Sequence, residues 1–159
     1  MISIEPRKLK TIITNDAIYG FFGDYRFLSN FHKCPKGVAY QGIIYPSSEH
    51  AYMSAKSHDQ SHKQMILNCD NPADVKKIGR SVKLREDWES VKLDIMYEVV
   101  LSKFYRDSDL MAQLWNTGDK NLFEMNWWGD RFWGVDVSKN GENNLGKILV
   151  KVREFGECL

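Results

Sequence analysis

Glu49 and Lys56 stand seven residues apart in the segment YPSSEHAYMSAKS, residues 45–57. At about 100° per residue, seven helical steps return to within roughly 20° of the same direction, about 10 Å further along the axis. Tyr52 and Met53 fall between them on that face. A charged pair is thus interleaved with large apolar side chains, which a plain amphipathic helix would keep apart from charge. A carboxylate can work as a general acid or base. A lysine in a partly dry site can lose its proton and attack an electrophilic carbon. Glu49 and Lys56 are therefore expected on one helix, both facing a concave pocket. The same spacing also fits a solvated helix face, and Glu49 suits the first turn of a helix through the macrodipole alone.

The segment FEMNWWGDRFWG, residues 123–134, gathers Glu124, Asp130 and three of the five tryptophans. Flat aromatic rings bind bases by stacking, at roughly 1–3 kcal/mol per base. Nearby carboxylates can hold ribose hydroxyls or polarise a water. An aromatic cluster under a loop, with Asp130 bonding backbone groups in a turn, fits the segment equally well. Other candidates are weaker. His58 and His62 are spaced like two metal ligands on one helix turn, but no third ligand is apparent, and the pair is expected at the surface. Cys34, Cys69 and Cys158 have no CxxC spacing, which argues against structural zinc. Gly20, Gly23, Gly79 and Gly118 match no phosphate loop, and no GxSxG elbow is present.

These residues need a scaffold. The chain has 159 residues, 43% hydrophobic and 27% charged, which suits one folded domain. Val38–Tyr45 alternates around Gln41-Gly42 and predicts a hairpin. A helix is expected to begin near Ser47 or Ser48, after Pro46. Further helices are expected from Pro72 to about Gly79, over about 88–105, over Asp107–Trp115, and behind a cap at Asn143 or Asn144. In the last, Leu145, Ile148, Leu149, Val152 and Phe155 share a face. Leu122 and Phe123 read as a short strand, and residues 125–142 as a long loop of the kind that is usually functional. Residues 1–18 read as an N-terminal arm or edge strand, and 19–159 as the domain. The expected fold is α+β, a mainly α-helical single compact domain with a few short strands.

The net charge of +1 gives no general footprint for nucleic acid, so any such contact must run through a pocket and a local patch. Apolar runs are too short to span a membrane, and MISIEPRKLK lacks a signal-peptide core. Three scattered cysteines read as reduced thiols. A cytoplasmic location, with no membrane association and no obligate protein partner, is expected.

Read in order, the motifs resemble the NADAR (YbiA-like) family over nearly the whole chain. They are FFGDYRFLSNF at 21–31, GIIYPSSEHAYMSAK at 42–56, KKIGRSVKLREDW at 76–88, MYEVVLSKF at 96–104, LFE at 122–124, DRFWG at 130–134 and NLGKILVKVR at 144–153. The resemblance implies cleavage of N-glycosidic bonds. Family substrates carry a ribosyl group on nitrogen: phosphoribosylamino-pyrimidines of the riboflavin pathway, or ADP-ribose on guanine in nucleic acid. The family's motif glutamate and lysine correspond to Glu49 and Lys56, and a lysine imine with the anomeric carbon has been proposed for its members. One departure stands out: the loop after Glu124 commonly carries small or polar residues, whereas this chain has Asn126-Trp127-Trp128-Gly129, which bears on substrate choice.

The reading that follows is an N-glycosidase acting on an N-linked ribosyl or ADP-ribosyl substrate, a small nucleotide or ADP-ribosylated nucleic acid. Lys56 is the candidate nucleophile, and Glu49 the proton shuttle or the partner that holds it. Glu124 and Asp130 would hold ribose hydroxyls or a water. Trp88 and Trp133 are candidate stacking walls. Phe22, Ser29, Asn30 and Arg80 would line the phosphate or ribose end, with Gly134 and Asn144 completing the binding set. Cleavage through an oxocarbenium-like state requires acid, base and charge stabilisation, so neither a metal nor a redox cofactor is expected. The competing reading is a non-catalytic ADP-ribose or nucleotide-binding module that keeps the tryptophans and Arg80.

Overall fold

Two pairs of short strands precede a run of helices, and a further strand and helix follow, in the computed structural model, which describes residues 9–157. Among them are strands β1 (Ile12–Ile13), β2 (Ala17–Tyr19), β3 (Val38–Tyr40), β4 (Ile43–Tyr45) and β5 (Asn121–Phe123). The helices are α1 (Ser48–Ser54), α2 (Gln60–Leu67), α3 (Pro72–Ser81), α4 (Trp88–Tyr105), α5 (Ser108–Trp115) and α6 (Asn144–Glu157), with a 3-10 helix at Gly23–Leu28. The class is α+β and mainly helical, as the sequence predicts. Contacts divide the chain into two units, Asn30–Leu110 and the segments before and after it.

In the unit Asn30–Leu110, β3 and β4 pair antiparallel with Ala39 opposite Ile44. Gln41 and Gly42 both take positive φ, 47° and 79°, the tight turn whose twist matches a hairpin. The α1 helix packs against α2, α3, α4 and the hairpin, and all seven of its residues are buried. Ser47 caps it, its Oγ accepting from the His50 amide at 3.2 Å. A helix buried all round must satisfy its polar side chains internally. His50 does so with Nδ1 on Ser47 Oγ and Nε2 on the Cys69 carbonyl, both at 2.6 Å. The α3 helix starts with Pro72 behind an Asn71 cap, and α4 buries Trp88, Ile95, Met96, Val99, Val100 and Phe104.

The other unit is built on a three-stranded sheet in the order β1-β2-β5, with β1 antiparallel to β2 and β2 parallel to β5. The α6 helix packs on β5. Arg153 of α6 is buried and donates to Thr117 Oγ1 at 2.9 Å and to the Lys120 carbonyl at 2.8 Å.

Some expectations need correction. The α2 helix carries no apolar stripe to read: the residues it buries are His62, Lys63 and Ile66. His62 is therefore not at the surface; its Nε2 bonds the Met53 carbonyl at 2.8 Å. Among the described residues no group of three or more His, Cys, Asp or Glu could hold a metal ion. Phe155 is exposed: in the last turn of α6 it lies at the edge of the stripe, about 80° from Leu145 and just beyond Ile148. Cys34 and Cys69 are free thiols, and Cys158 lies outside the described residues. Among the described residues no helix is long and apolar enough to cross a membrane.

Candidate active site

Glu49 sits in the first turn of α1, 6% exposed, and its amide donates to the Asn30 carbonyl at 3.0 Å. Lys56 does not lie on that helix. Ala55 is the C-cap, and the Lys56 amide turns back to the Met53 carbonyl at 3.3 Å, a three-residue bond that tightens the chain out of the helix. The chain then leaves sideways, because the Lys56 carbonyl accepts from the Arg85 amide at 2.8 Å.

The Lys56 side chain is half-buried. Its Nζ approaches the Gly79 carbonyl at 3.4 Å and the centre of the Trp88 ring at 5.8 Å. Burial pushes its pKa below the ordinary lysine value. The Glu49 carboxylate pulls the other way, and Arg80, Lys76 and Lys92 lower it further. Trp88 is itself buried, with its ring 5.1 Å from that of Tyr52. Gly79 permits this geometry, since a Cβ there would lie 2.1 Å from Met53 Sδ. Arg80 is exposed on the last turn of α3. Asn30 is buried and its Nδ2 faces Met96 Sδ at 3.5 Å. Among the described residues, Asn30 Oδ1 and Ser48 Oγ are buried without a hydrogen-bond partner.

The second group lies in the other unit. Asp130 uses Oδ1 to accept from the Phe132 and Trp133 amides, at 3.1 and 2.8 Å. This is the turn-forming role that its residue type allows. Asn126, fully buried, clasps Asp130 from the other side: its Oδ1 accepts from the Asp130 amide and its Nδ2 donates to the Asp130 carbonyl. The Glu124 amide donates to Asn143 Oδ1 at 3.1 Å, and its carbonyl accepts from Val135. Gly134 is buried so close to that carbonyl that a Cβ would stand 2.0 Å from it. The loop returns onto α6: the carbonyls of Phe132, Trp133 and Gly134 accept from the amides of Asn144, Leu145 and Asn143. Asn144 Nδ2 adds a bond to the Phe132 carbonyl at 2.9 Å. Phe22 stands ahead of the 3-10 helix with its ring 6.3 Å from that of Trp127, and Ser29 closes the same helix. Trp127 and Trp128 meet edge to face at 4.7 Å and remain 41% and 45% exposed.

Asn30, Glu49, Lys56, Arg80 and Trp88 thus share one unit, and Phe22, Ser29, Glu124, Asp130, Trp133, Gly134 and Asn144 the other. Two buried asparagines, Asn126 and Asn143, hold the loop, whereas the sequence marked the first only within Asn126-Trp127-Trp128-Gly129 and the second only as a helix cap. Their signal is weak, since asparagine is more often a turn residue in solvent.

The NADAR domain pattern matches residues 19–155. The chain is similar to an N-glycosidase of Nostoc punctiforme, 38% identical, with 86% of this chain and 88% of that one covered. It is similar to the N-glycosidase YbiA of Escherichia coli at 32% identity, with 89% and 90% covered. A riboflavin biosynthesis protein of Vibrio vulnificus is 33% identical over 92% of this chain, which spans 40% of that longer protein. The solved structure of E. coli YbiA superposes with a TM-score of 0.81 at 29% identity, covering 95% of this chain and 90% of that one. The chain belongs to the NADAR family, and it is an enzyme of the N-glycosidase class.

Proposed function

We propose that this enzyme hydrolyses the bond between a ribosyl anomeric carbon and a base nitrogen, with Lys56 as nucleophile and Glu49 as proton shuttle. The observation that carries the reading is the setting of Lys56: half-buried, against the Trp88 ring, with its pKa lowered by burial and the buried Glu49 close enough to act on it. A lowered pKa raises the fraction of free amine, which is the form that attacks carbon.

The Lys56 lone pair forms a bond to the anomeric carbon as the carbon–nitrogen bond to the base breaks. That electron pair leaves on the base nitrogen, which takes a proton from water. The Glu49 carboxylate then takes a proton from the lysine adduct, the sugar ring opens to an imine, and water adds to release the ribosyl product and free Lys56. Trp88 keeps the amine dry. Asn30 Oδ1, buried without a partner among the described residues, offers an acceptor for a ribose hydroxyl. Arg80, Lys76 and Lys92 set a positive potential at Lys56 that suits a substrate bearing phosphate. Asp130 holds the Trp133 amide through Oδ1 and is a candidate to hold a ribose hydroxyl or a water. Glu124 is a further candidate for a ribose or water contact, with Phe22, Ser29, Gly134 and Asn144 in supporting binding roles.

Two substrates of this class are proposed, ADP-ribosylated guanine in nucleic acid and a phosphoribosylamino-pyrimidine. The exposed indoles of Trp127 and Trp128 support the first. The name of the Vibrio vulnificus relative supports the second. The test is incubation with each and chromatography of the released base. Release from at least one, abolished in Lys56→Ala, is expected. Tight binding without release would instead mark a nucleotide-binding module, and neither binding nor release would overturn the reading.

A further inference from the structure

Arg85 joins the two partners of the Lys56–Trp88 contact through its own backbone. Its amide donates to the Lys56 carbonyl at 2.8 Å, and its carbonyl accepts from the Trp88 amide at 3.2 Å. Its side chain, 13% exposed, reaches back as well. Nε and Nη2 form a two-pronged pair with the Asp87 carboxylate at 2.6 and 2.9 Å, and Nη1 points at the Ala55 carbonyl at 3.5 Å. The Tyr40 hydroxyl of β3 faces the same guanidinium closely enough to interact with it electrostatically. The planar fork of arginine suits such multiple fixed contacts, which a lysine cannot reproduce. Ala55 and Lys56 are the residues at which the chain leaves α1, and a turn outside a helix has no ladder of its own to hold it.

We infer that Arg85, held by Asp87, is a positioning residue for Lys56: its guanidinium clamps the turn after α1 so that the Lys56 amine stays against Trp88 and out of water. The inference rests on Lys56 being the nucleophile. The charged groups that face Lys56 are Glu49 from α1, Lys76 and Arg80 from α3, and Lys92 from α4, and none of these is altered by changing Arg85. Releasing the clamp lets the ammonium group reach water, which favours the charged form and moves its titration back toward the ordinary lysine value.

The experiment is the pH dependence of kcat for wild type, Arg85→Ala, Arg85→Lys and Asp87→Asn, with melting temperatures alongside. Rate rises with pH as Lys56 loses its proton. In all three variants this rise is expected about one pH unit higher, with about tenfold less turnover at neutral pH and an unchanged KM. Arg85→Lys keeps the positive charge and loses the fork, so its behaving like Arg85→Ala separates positioning from charge. Asp87→Asn keeps the arginine, weakens the pair that holds it, and serves if Arg85→Ala folds poorly. A lowered melting temperature with the wild-type pH profile would overturn the inference and leave Arg85 a structural residue. Full activity in Lys56→Ala would overturn the proposed mechanism itself, and the inference with it.

Discussion

The Lys56 ammonium nitrogen stands 5.8 Å from the centre of the Trp88 ring. Two opposed effects meet there. An aromatic face attracts a cation, which favours the protonated lysine. Burial removes water, which favours the neutral amine. The pKa of Lys56 is lowered despite the attraction of Glu49, so the loss of water dominates.

A pH dependence follows. Turnover should rise with pH through a titration below the ordinary lysine range, because the free amine is the reactive form. The sign for stability agrees. A lysine whose folded pKa lies below its unfolded value binds fewer protons in the folded state over that window, so stability gained from Lys56 grows with pH across it and is lost as pH falls. In Lys56→Met the change in melting temperature with pH between neutral and about pH 10 should be shallower than in wild type.

Glu49→Gln keeps the shape of a side chain that is buried in the first turn of α1. It cannot pass a proton. Turnover should fall by about 10²-fold or more, within the usual range for losing a group that transfers protons, while KM changes little. A comparable loss in KM alone would make Glu49 a binding residue.

The approach of α3 to α1 sets the Gly79 carbonyl beside Lys56. In Gly79→Ala a Cβ would lie 2.1 Å from Met53 Sδ and 3.2 Å from Met53 Cβ. Overpacking costs about 1–3 kcal/mol, against about 1 kcal/mol gained from helix propensity. Gly79→Ala should therefore lower stability and turnover together. Combined with Met53→Ala, the two losses should sum to less than additive by more than about 0.5 kcal/mol, as expected for residues in contact. Denaturant unfolding of the four proteins measures this.

The elements around these residues were largely readable because their periodicity is simple. The α4 helix and the hairpin turn at Gln41-Gly42 each announce themselves in a few residues. The α2 helix did not, because it buries His62 and Lys63 where an apolar stripe would be sought. Spacing placed Lys56 on the helix of Glu49, but that periodicity holds only while the helix continues. At its end the Ala55 and Lys56 carbonyls meet Arg85, thirty residues from Ala55 in sequence, a pairing that no local pattern carries. Asp130 was legible only as an ambiguity; its Oδ1 accepts two backbone amides, which is the turn half of that reading.

Trp127→Ala removes a ring that is 41% exposed, so stability should change by no more than about 0.5 kcal/mol. Affinity for a single-stranded oligonucleotide should fall by about 1–3 kcal/mol if the indole stacks on a base. Unchanged affinity, measured by titration calorimetry, would remove Trp127 from substrate recognition.

The most direct test of the central claim is reductive trapping. Turnover in the presence of borohydride should reduce the imine to a stable secondary amine, and peptide mass spectrometry should find the ribosyl-derived mass on Lys56. Lys56→Ala and Lys56→Arg should give no adduct and no base release, since arginine keeps its proton. An adduct on another lysine, or full activity in Lys56→Ala, would contradict the account and leave Glu49 with a water as the catalyst.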